Sequence, residues 1–208
     1  MNGSEIRIQR HDAFPTSIIE FDYSNVFTSE DQELMTKDID FLIDNGEYQT
    51  QEGSPLYQTK TCLFYDDRQE IWLKLKETFL VSCKNYLMMV ENFSKQQEAL
   101  VPIHTLAWGY KSWKSCNEKV KNPRPEHNHN PAYLAGVFYL KIPKSDCARG
   151  TEFIDPRDAF SSSQRNVYTD PVEFSWCIFP GWLTHKACLI DTEEPRYTVA
   201  ANVYCAPL

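Results

Sequence analysis

The amino-acid sequence predicts a mainly β fold with flanking helices. From residue 103 onward, short apolar or alternating segments recur with turn residues between them, a pattern typical of an all-β sandwich or barrel. The first half of the chain instead contains two stretches in which apolar residues recur at helical spacing. A chain of 208 residues is long enough for one domain with a sizeable core. We therefore expect a single domain, 1–208, in which residues 1–101 supply strands and two helices that pack on a β core of residues 102–208.

Two helices are predicted in the first half. Ser29 is a suitable N-cap for the first, with Gln32 three positions later and acidic residues in the first turn, and Asn45-Gly46 is a typical helix end. The second begins near Asp66 and carries a broad apolar stripe to about Asn92. Short strands are expected before and between the helices, at Ile6–Phe21 and Leu56–Tyr65.

Six strands are predicted in the second half, with loops rich in charge and proline between them. The strands are Ile103–Trp113, Leu134–Ile142, Gly150–Ile154, Val172–Phe179, His185–Ile190 and Arg196–Cys205. The polar segments Cys116–Glu126 and Asp155–Asp170 are predicted as loops.

The net charge and the cysteines restrict the class of partner. Lysine and arginine total 21 against 29 acidic residues, so the net charge is −8, and no basic run is present. This argues against nucleic acid or an anionic membrane as the main partner. No apolar segment approaches transmembrane length or resembles a signal peptide. The seven cysteines show no C-x-x-C pair, which indicates reduced thiols and a cytoplasmic protein.

Three histidines occupy positions that favour a metal site. His127 and His129 lie two residues apart, so in an extended segment both side chains point to the same face. His185 follows a turn at Pro180-Gly181, at the start of another strand. Imidazoles suit Fe, Zn, Cu and Ni. The alternative is a pair of surface histidines in a proline-flanked turn, but the third histidine favours a metal.

The last strand predicts a carboxylate site. Arg196, Thr198, Ala200 and Asn202 share one face, while the residues between them form an apolar face that belongs in the core. An arginine suits a carboxylate held by two parallel hydrogen bonds, and Thr198 would add a hydroxyl. The alternative is the solvent-facing side of an edge strand.

Four segments, in order, carry a family resemblance. They are His127–Leu140, Phe153–Arg157, Phe179–His185 and Arg196–Asn202. Together they resemble the 2-oxoglutarate/Fe(II)-dependent oxygenases, most of all a branch of small, uncharacterised 2OG-Fe(II) oxygenases of bacteria and phages. The resemblance implies a double-stranded β-helix, the cupin-like jelly roll, and a dioxygenase that requires Fe(II) as cofactor and 2-oxoglutarate as cosubstrate.

The resemblance also implies roles for individual residues. His127, His129 and His185 would bind the metal, and Arg196 with Thr198 would bind the far carboxylate of 2-oxoglutarate. Tyr139 points away from the neighbouring Phe138 and could reach the cosubstrate, although a packed core tyrosine is an equal alternative. No catalytic residue beyond the metal ligands is predicted.

One residue departs from the family pattern. The usual ligand set is two histidines and one carboxylate, but His129 occupies the carboxylate position. Glu126 precedes His127 and would point to the opposite face of a regular strand. Three outcomes are open: a three-histidine site, a site of two histidines and water, or a site that has lost iron.

The simplest activity implied by the resemblance is hydroxylation of a C–H bond, with release of succinate and CO₂. Two alternatives remain, namely a three-histidine metal dioxygenase that needs no oxoglutarate and a non-catalytic jelly-roll binding protein. Arg196 distinguishes them, since an enzyme without a cosubstrate does not require it. The substrate, a small molecule or a protein side chain, is left open.

Overall fold

The structure is a computed structural model that describes residues 16–49, 57–90, 102–114, 125–144, 149–156 and 166–205. Within these residues two helices and ten strands follow one another. The helices are α1 (Ser29–Asp44) and α2 (Ile71–Val90). The strands are β1 (Ile19–Asp22), β2 (Tyr48–Gln49), β3 (Tyr57–Thr59), β4 (Pro102–Ser112), β5 (Leu134–Lys141), β6 (Thr151–Phe153), β7 (Val167–Tyr168), β8 (Ser175–Pro180), β9 (His185–Ala187) and β10 (Arg196–Cys205).

The strands form two antiparallel sheets. Seven strands make the larger sheet in the order β1-β8-β5-β10-β4-β3-β2, and three make the smaller one in the order β7-β6-β9. Strands that are distant in the sequence are neighbours in the larger sheet. For example, β10, at the end of the described chain, lies between β5 and β4. This is the antiparallel jelly-roll core that the resemblance implied, with the helices on its outer side.

The main hydrophobic core lies between the helices and the larger sheet. One face of β10 supplies Tyr197, Val199, Ala201 and Val203, all buried as the alternation predicted. Trp72, Leu75 and Phe79 of α2 and Met35 and Ile39 of α1 belong to the same cluster. The opposite face of the larger sheet looks toward the smaller sheet, and the candidate site lies between the two sheets.

A polar cluster ties α1 to the sheet. Tyr197 donates its hydroxyl to both carboxylate oxygens of Asp40, at 3.0 and 2.9 Å, and Lys111 lies 2.6 Å from the same carboxylate. Deeper in the core, the Trp72 indole donates to Asp38 at 2.8 Å. These contacts fix the helices on the outer face of the sheet that carries Arg196 on its inner face.

The helix ends are close to the predicted ones, except that α1 is capped one residue earlier than expected and α2 begins at Ile71 rather than near Asp66. The N-cap of α1 is Thr28, whose hydroxyl accepts from the Asp31 amide while the Asp31 side chain accepts from the Thr28 amide. Ser29, the predicted cap, is the first helical residue, because the reciprocal pair of hydrogen bonds starts one position earlier. The helix ends at Asn45, and Gly46 has φ of 77°, as the sequence predicted.

Several strand predictions needed correction. In the described part of the predicted strand Leu56–Tyr65, β3 (Tyr57–Thr59) is followed by a 3-10 turn at Leu63–Tyr65, whose Leu63 and Phe64 turn into the core. The predicted loop Asp155–Asp170 contains β7, which pairs with β6. The predicted strands starting at Val172 and His185 are shorter than expected, while β10 has its predicted bounds. Residues 1–15 and 115–124 lie outside the described part of the chain, so the first strand of Ile6–Phe21 and most of the Cys116–Glu126 loop do too. None of the described helices is long and apolar enough to cross a membrane.

Candidate active site

Backbone hydrogen bonds bring the three histidine segments together. His127 and His185 exchange both backbone hydrogen bonds, at 3.0 and 2.9 Å, as an isolated antiparallel bridge. The His129 amide donates to the Gly181 carbonyl at 2.7 Å. The Pro180-Gly181 turn therefore binds the segment of His127 and His129 through the Gly181 carbonyl, and the strand that follows the turn places His185 beside His127.

The imidazoles of His127, His129 and His185 lie close enough to share an ion. One ligand nitrogen from each can be chosen so that all three are within 4.8 Å of one another. The Nε2 atoms of His129 and His185 are 3.2 Å apart. Two nitrogens at about 2.1 Å from one metal are separated by about 3.0 Å at a right angle and about 3.4 Å at the tetrahedral angle. The observed spacing lies between these limits and so fits two ligands of the same ion.

Two of the three rings are oriented by backbone carbonyls. His127 Nδ1 lies 3.1 Å from the Pro125 carbonyl, and His185 Nδ1 lies 2.9 Å from the Leu183 carbonyl. A carbonyl oxygen can only accept, so each Nδ1 carries the proton and each Nε2 keeps its lone pair. Metal-binding histidines are commonly oriented in this way.

The site keeps its deeper histidines neutral. Burial, together with the neighbouring His127, lowers the pKa of His129 to about 4. Burial and the same neighbour lower the pKa of His185 to about 3. A metal ligand must be unprotonated, so these two imidazoles are in the binding form at neutral pH.

No carboxylate joins the histidines in the described part of the chain. Glu126 is exposed and points outward, where it pairs with Lys186 at 3.1 Å. Glu152 contacts the same lysine at 3.5 Å. The orientation expected for Glu126 is therefore confirmed, and the histidine cluster holds no negative charge of its own.

A cavity of about 100 Å³ extends from the histidines to Arg196. Arg196 is 3% exposed, and its guanidinium donates to the Cys188 carbonyl at 2.6 Å and to the Arg149 carbonyl at 3.4 Å. The solvent-facing alternative for this side of β10 is therefore wrong. Thr198 and Ala200 line the same cavity, as the alternation of the strand predicted.

The wall beside Arg196 is formed by hydroxyl groups. Tyr139 is 1% exposed and lines the cavity, with its hydroxyl 2.9 Å from Thr151 Oγ1 and 2.7 Å from Thr169 Oγ1. Ser112 also lines the cavity and pairs with Arg196 across the sheet. Sequence reasoning singled out Tyr139 but missed the two threonines, because no local pattern connects residues 12 and 30 positions away.

The structure thus brings together all six residues predicted for the site. His127, His129 and His185 lie at one end of the cavity, and Arg196, Thr198 and Tyr139 line the same space. A divalent ion fits the nitrogen donors, and an anion fits the buried guanidinium with its neighbouring hydroxyl groups.

Known proteins with a similar fold are 2-oxoglutarate-dependent oxygenases. A prolyl-4-hydroxylase of Pseudomonas putida superposes with a TM-score of 0.60 at 9% identity, over 92% of this chain and 94% of that chain. A prolyl hydroxylase of Trichoplax adhaerens, in complex with a hypoxia inducible factor peptide, gives 0.57 at 13% identity, over 90% and 83%. HygX of Streptomyces hygroscopicus, with nickel, 2-oxoglutarate and hygromycin B bound, gives 0.51 at 12% identity, over 92% and 84%.

At these identities the structural likeness shows the fold alone, so the family assignment depends on a sequence match. Residues 111–202 match the family described as "Putative 2OG-Fe(II) oxygenase". None of the curated proteins compared with the chain matches it. The matched segment contains every residue predicted for the metal and the cosubstrate. Over residues 111–202 the chain is therefore similar in sequence, as it is in fold, to the 2-oxoglutarate/Fe(II)-dependent oxygenases, enzymes that use Fe(II) as cofactor and 2-oxoglutarate as cosubstrate.

Proposed function

We propose that the protein is a hydroxylase that binds Fe(II) through His127, His129 and His185. In this superfamily, Fe(II) activates O₂ while 2-oxoglutarate provides two electrons and becomes succinate and CO₂. One oxygen atom goes to succinate and the other becomes the hydroxyl group inserted into a C–H bond of the substrate. The observation that carries the proposal is the single cavity that joins the histidine cluster to the buried Arg196.

Arg196 and Thr198 bind the far carboxylate of 2-oxoglutarate in this proposal. Arg196 is the only cation among the residues that line the cavity in the described part of the chain. Two backbone carbonyls orient its guanidinium, so little side-chain entropy is lost when a carboxylate arrives. Tyr139 lies on the adjacent strand directly opposite Thr198 and adds a third polar group to the same wall.

The three histidines make the proposed metal site more cationic than the usual one. Three neutral imidazoles leave the +2 charge of the metal for the cosubstrate to balance, whereas a carboxylate ligand would neutralise one unit. Phe179 and Phe153 cover the His185 ring, with centroids 4.7 and 5.9 Å away, and exclude water from that side. The dianionic cosubstrate is therefore drawn to a partly desolvated cationic site.

A three-histidine metal dioxygenase that needs no oxoglutarate is the second candidate, because His129 occupies the carboxylate position. This candidate leaves the buried Arg196 without a role in the reaction, and for that reason we favour the first. Proteins of this fold bind both peptides and small molecules, namely the peptide in the Trichoplax complex and the hygromycin B bound to HygX.

Anaerobic titration with Fe(II) and 2-oxoglutarate tests the proposal. We expect a weak visible charge-transfer band that saturates with one cosubstrate per chain, and succinate release once O₂ is admitted. Arg196→Ala removes a charge-assisted contact of about 1.5–3 kcal/mol, so the dissociation constant for 2-oxoglutarate should rise roughly 10- to 100-fold.

Lys60→Ala serves as the matched control, because Lys60 is an exposed cation that does not line the cavity and its ammonium donates to the Gly46 carbonyl at 3.4 Å. It should leave the band and its affinity unchanged. A wild-type protein that binds Fe(II) but shows neither the band nor succinate would favour the cosubstrate-free candidate instead.

A further inference from the structure

The hydroxyl of Tyr139 lies in a buried cluster with the hydroxyls of two threonines. Its oxygen is 2.9 Å from Thr151 Oγ1 and 2.7 Å from Thr169 Oγ1. Thr151 and Thr169 are 2% and 6% exposed, so bulk water does not compete for these contacts. Tyr139 and Thr151 line the cavity, whereas Thr169 stands behind the phenol.

The number of hydroxyl protons limits which of the three groups can donate in each contact. Three hydroxyl protons are available for two oxygen–oxygen contacts, and each contact uses one, so one proton points elsewhere. Thr169 Oγ1 also accepts the Thr151 amide at 3.0 Å, which occupies one of its lone pairs. The position of the remaining proton decides whether the cluster offers the cavity a donor or only lone pairs.

An anion bound beside Arg196 favours one arrangement of the three hydroxyl protons over the others. A phenol is a stronger acid than an aliphatic alcohol, and a hydrogen bond to a carboxylate is strengthened by the charge of the acceptor. Burial raises the pKa of Tyr139, so its proton is present at neutral pH and can be donated. The favoured arrangement has both threonines donating to the Tyr139 oxygen and the Tyr139 proton pointing into the cavity.

We propose that Thr151 and Thr169 are positioning residues that direct the Tyr139 hydroxyl proton toward the carboxylate bound by Arg196. The inference rests on the proposed function, since it needs 2-oxoglutarate in the cavity. It assigns to Thr169 a part in cosubstrate selection although Thr169 does not line the cavity. The cluster then discriminates 2-oxoglutarate from 2-oxo acids that lack a second carboxylate.

The backbone at Gly150 supports this role. A Cβ atom there would lie 2.3 Å from the Tyr139 oxygen and 2.9 Å from Thr169 Oγ1. The Gly150 amide also donates to the Thr169 carbonyl at 2.7 Å, which anchors the threonine behind the phenol. Because Gly150 has no Cβ, the Tyr139 hydroxyl has room beside Gly150 and Thr169.

The experiment compares two ligands of equal chain length. Dissociation constants for 2-oxoglutarate and 2-oxopentanoate, which lacks the far carboxylate, are measured anaerobically by calorimetry on the Ni(II)-loaded protein. We expect Thr169→Val to weaken 2-oxoglutarate about 3- to 20-fold, the loss expected for one hydrogen bond, and to leave 2-oxopentanoate unchanged. Thr169→Ser keeps the hydroxyl and should restore wild-type affinity. Thr151→Val should give the same selective loss without leaving the Thr151 amide unpaired, which secures the test if Thr169→Val folds poorly.

Thr78→Val is the matched control, because Thr78 is a buried threonine of α2 whose hydroxyl also accepts an N–H, from Trp176 at 3.0 Å. It should lower the melting temperature and change neither dissociation constant. Equal weakening of both ligands by Thr169→Val, or no weakening of either, would overturn the inference. If wild-type protein binds 2-oxoglutarate no better than 2-oxopentanoate, the proposed function itself fails, and the two failures are thus distinguished.

Discussion

Replacement of Gly181 by alanine should damage the candidate metal site more than the fold. Gly181 is buried at the turn between β8 and β9, where its carbonyl accepts the His129 amide at 2.7 Å and its amide donates to the Tyr133 carbonyl at 3.0 Å. An alanine Cβ would lie 2.0 Å from the carbonyl oxygen of Ala132. Because that neighbour is backbone, it cannot move away by changing a rotamer.

The size of the effect follows from this contact. Real Cβ atoms essentially never approach closer than 3.0 Å, so the turn and the His129 segment must separate by about 1 Å. Ligand distances in metal sites tolerate only about 0.2 Å, so His129 would leave coordinating range while His185 stays. Metal affinity should fall about 10- to 100-fold, and overpacking should cost about 1–3 kcal/mol of folding free energy.

The assay is competition for Zn(II) against a chelator of known affinity, combined with thermal unfolding of the metal-free protein. Gly46→Ala is the control, because Gly46 also has a special backbone conformation, with φ of 77°, but no atom lies within 4 Å of the place its Cβ would take. It should reduce stability by about 1 kcal/mol without changing metal affinity. A Gly181→Ala protein that is destabilised yet binds Zn(II) within about twofold of wild type would refute the reasoning.

Three further predictions concern protonation, a buried carboxylate and the unusual ligand. The unfolded chain binds protons at His129 and His185 below about pH 6.5, whereas the pKa values in the folded protein are about 4 and 3. Chemical denaturation of the metal-free protein should therefore show full stability above about pH 6.5 and a progressive loss as the pH falls toward about 4, and a flat profile would contradict this. Asp38→Ala leaves the buried Trp72 indole unpaired and should cost about 1–3 kcal/mol, against little change for exposed Asp44→Ala. His129→Asp introduces a carboxylate at the ligand position and should tighten Fe(II) binding by about tenfold or more, and calorimetry that finds unchanged binding would place His129 outside the ligand set.

The strand periodicity explains how much of the site could be predicted from the sequence. The face of β10 that carries Arg196 and Thr198 follows from alternation alone, because the other face is uniformly apolar. The Pro180-Gly181 turn likewise predicted the start of β9 at His185. These features are local, so a single sequence contains them.

The features that the sequence could not provide depend on contacts between distant segments. The hydroxyl cluster joins Tyr139 to residues 12 and 30 positions later, and neither threonine belongs to a recognisable motif. The capping residue of α1 was displaced by one position because Thr28 and Ser29 are both good caps, and the partner Asp31 decided between them. The strand predicted at Leu56–Tyr65 stopped early because Leu63 and Phe64 gain more by turning into the core.

The most direct test of the three-histidine metal centre is X-ray absorption spectroscopy of the Zn(II)-loaded protein, wild type and His129→Ala. We expect three imidazole nitrogens at about 2.0–2.1 Å in wild type and two in the variant. Two imidazoles in both proteins would exclude His129 from the ligand set, and fewer than two in wild type would contradict the metal centre itself.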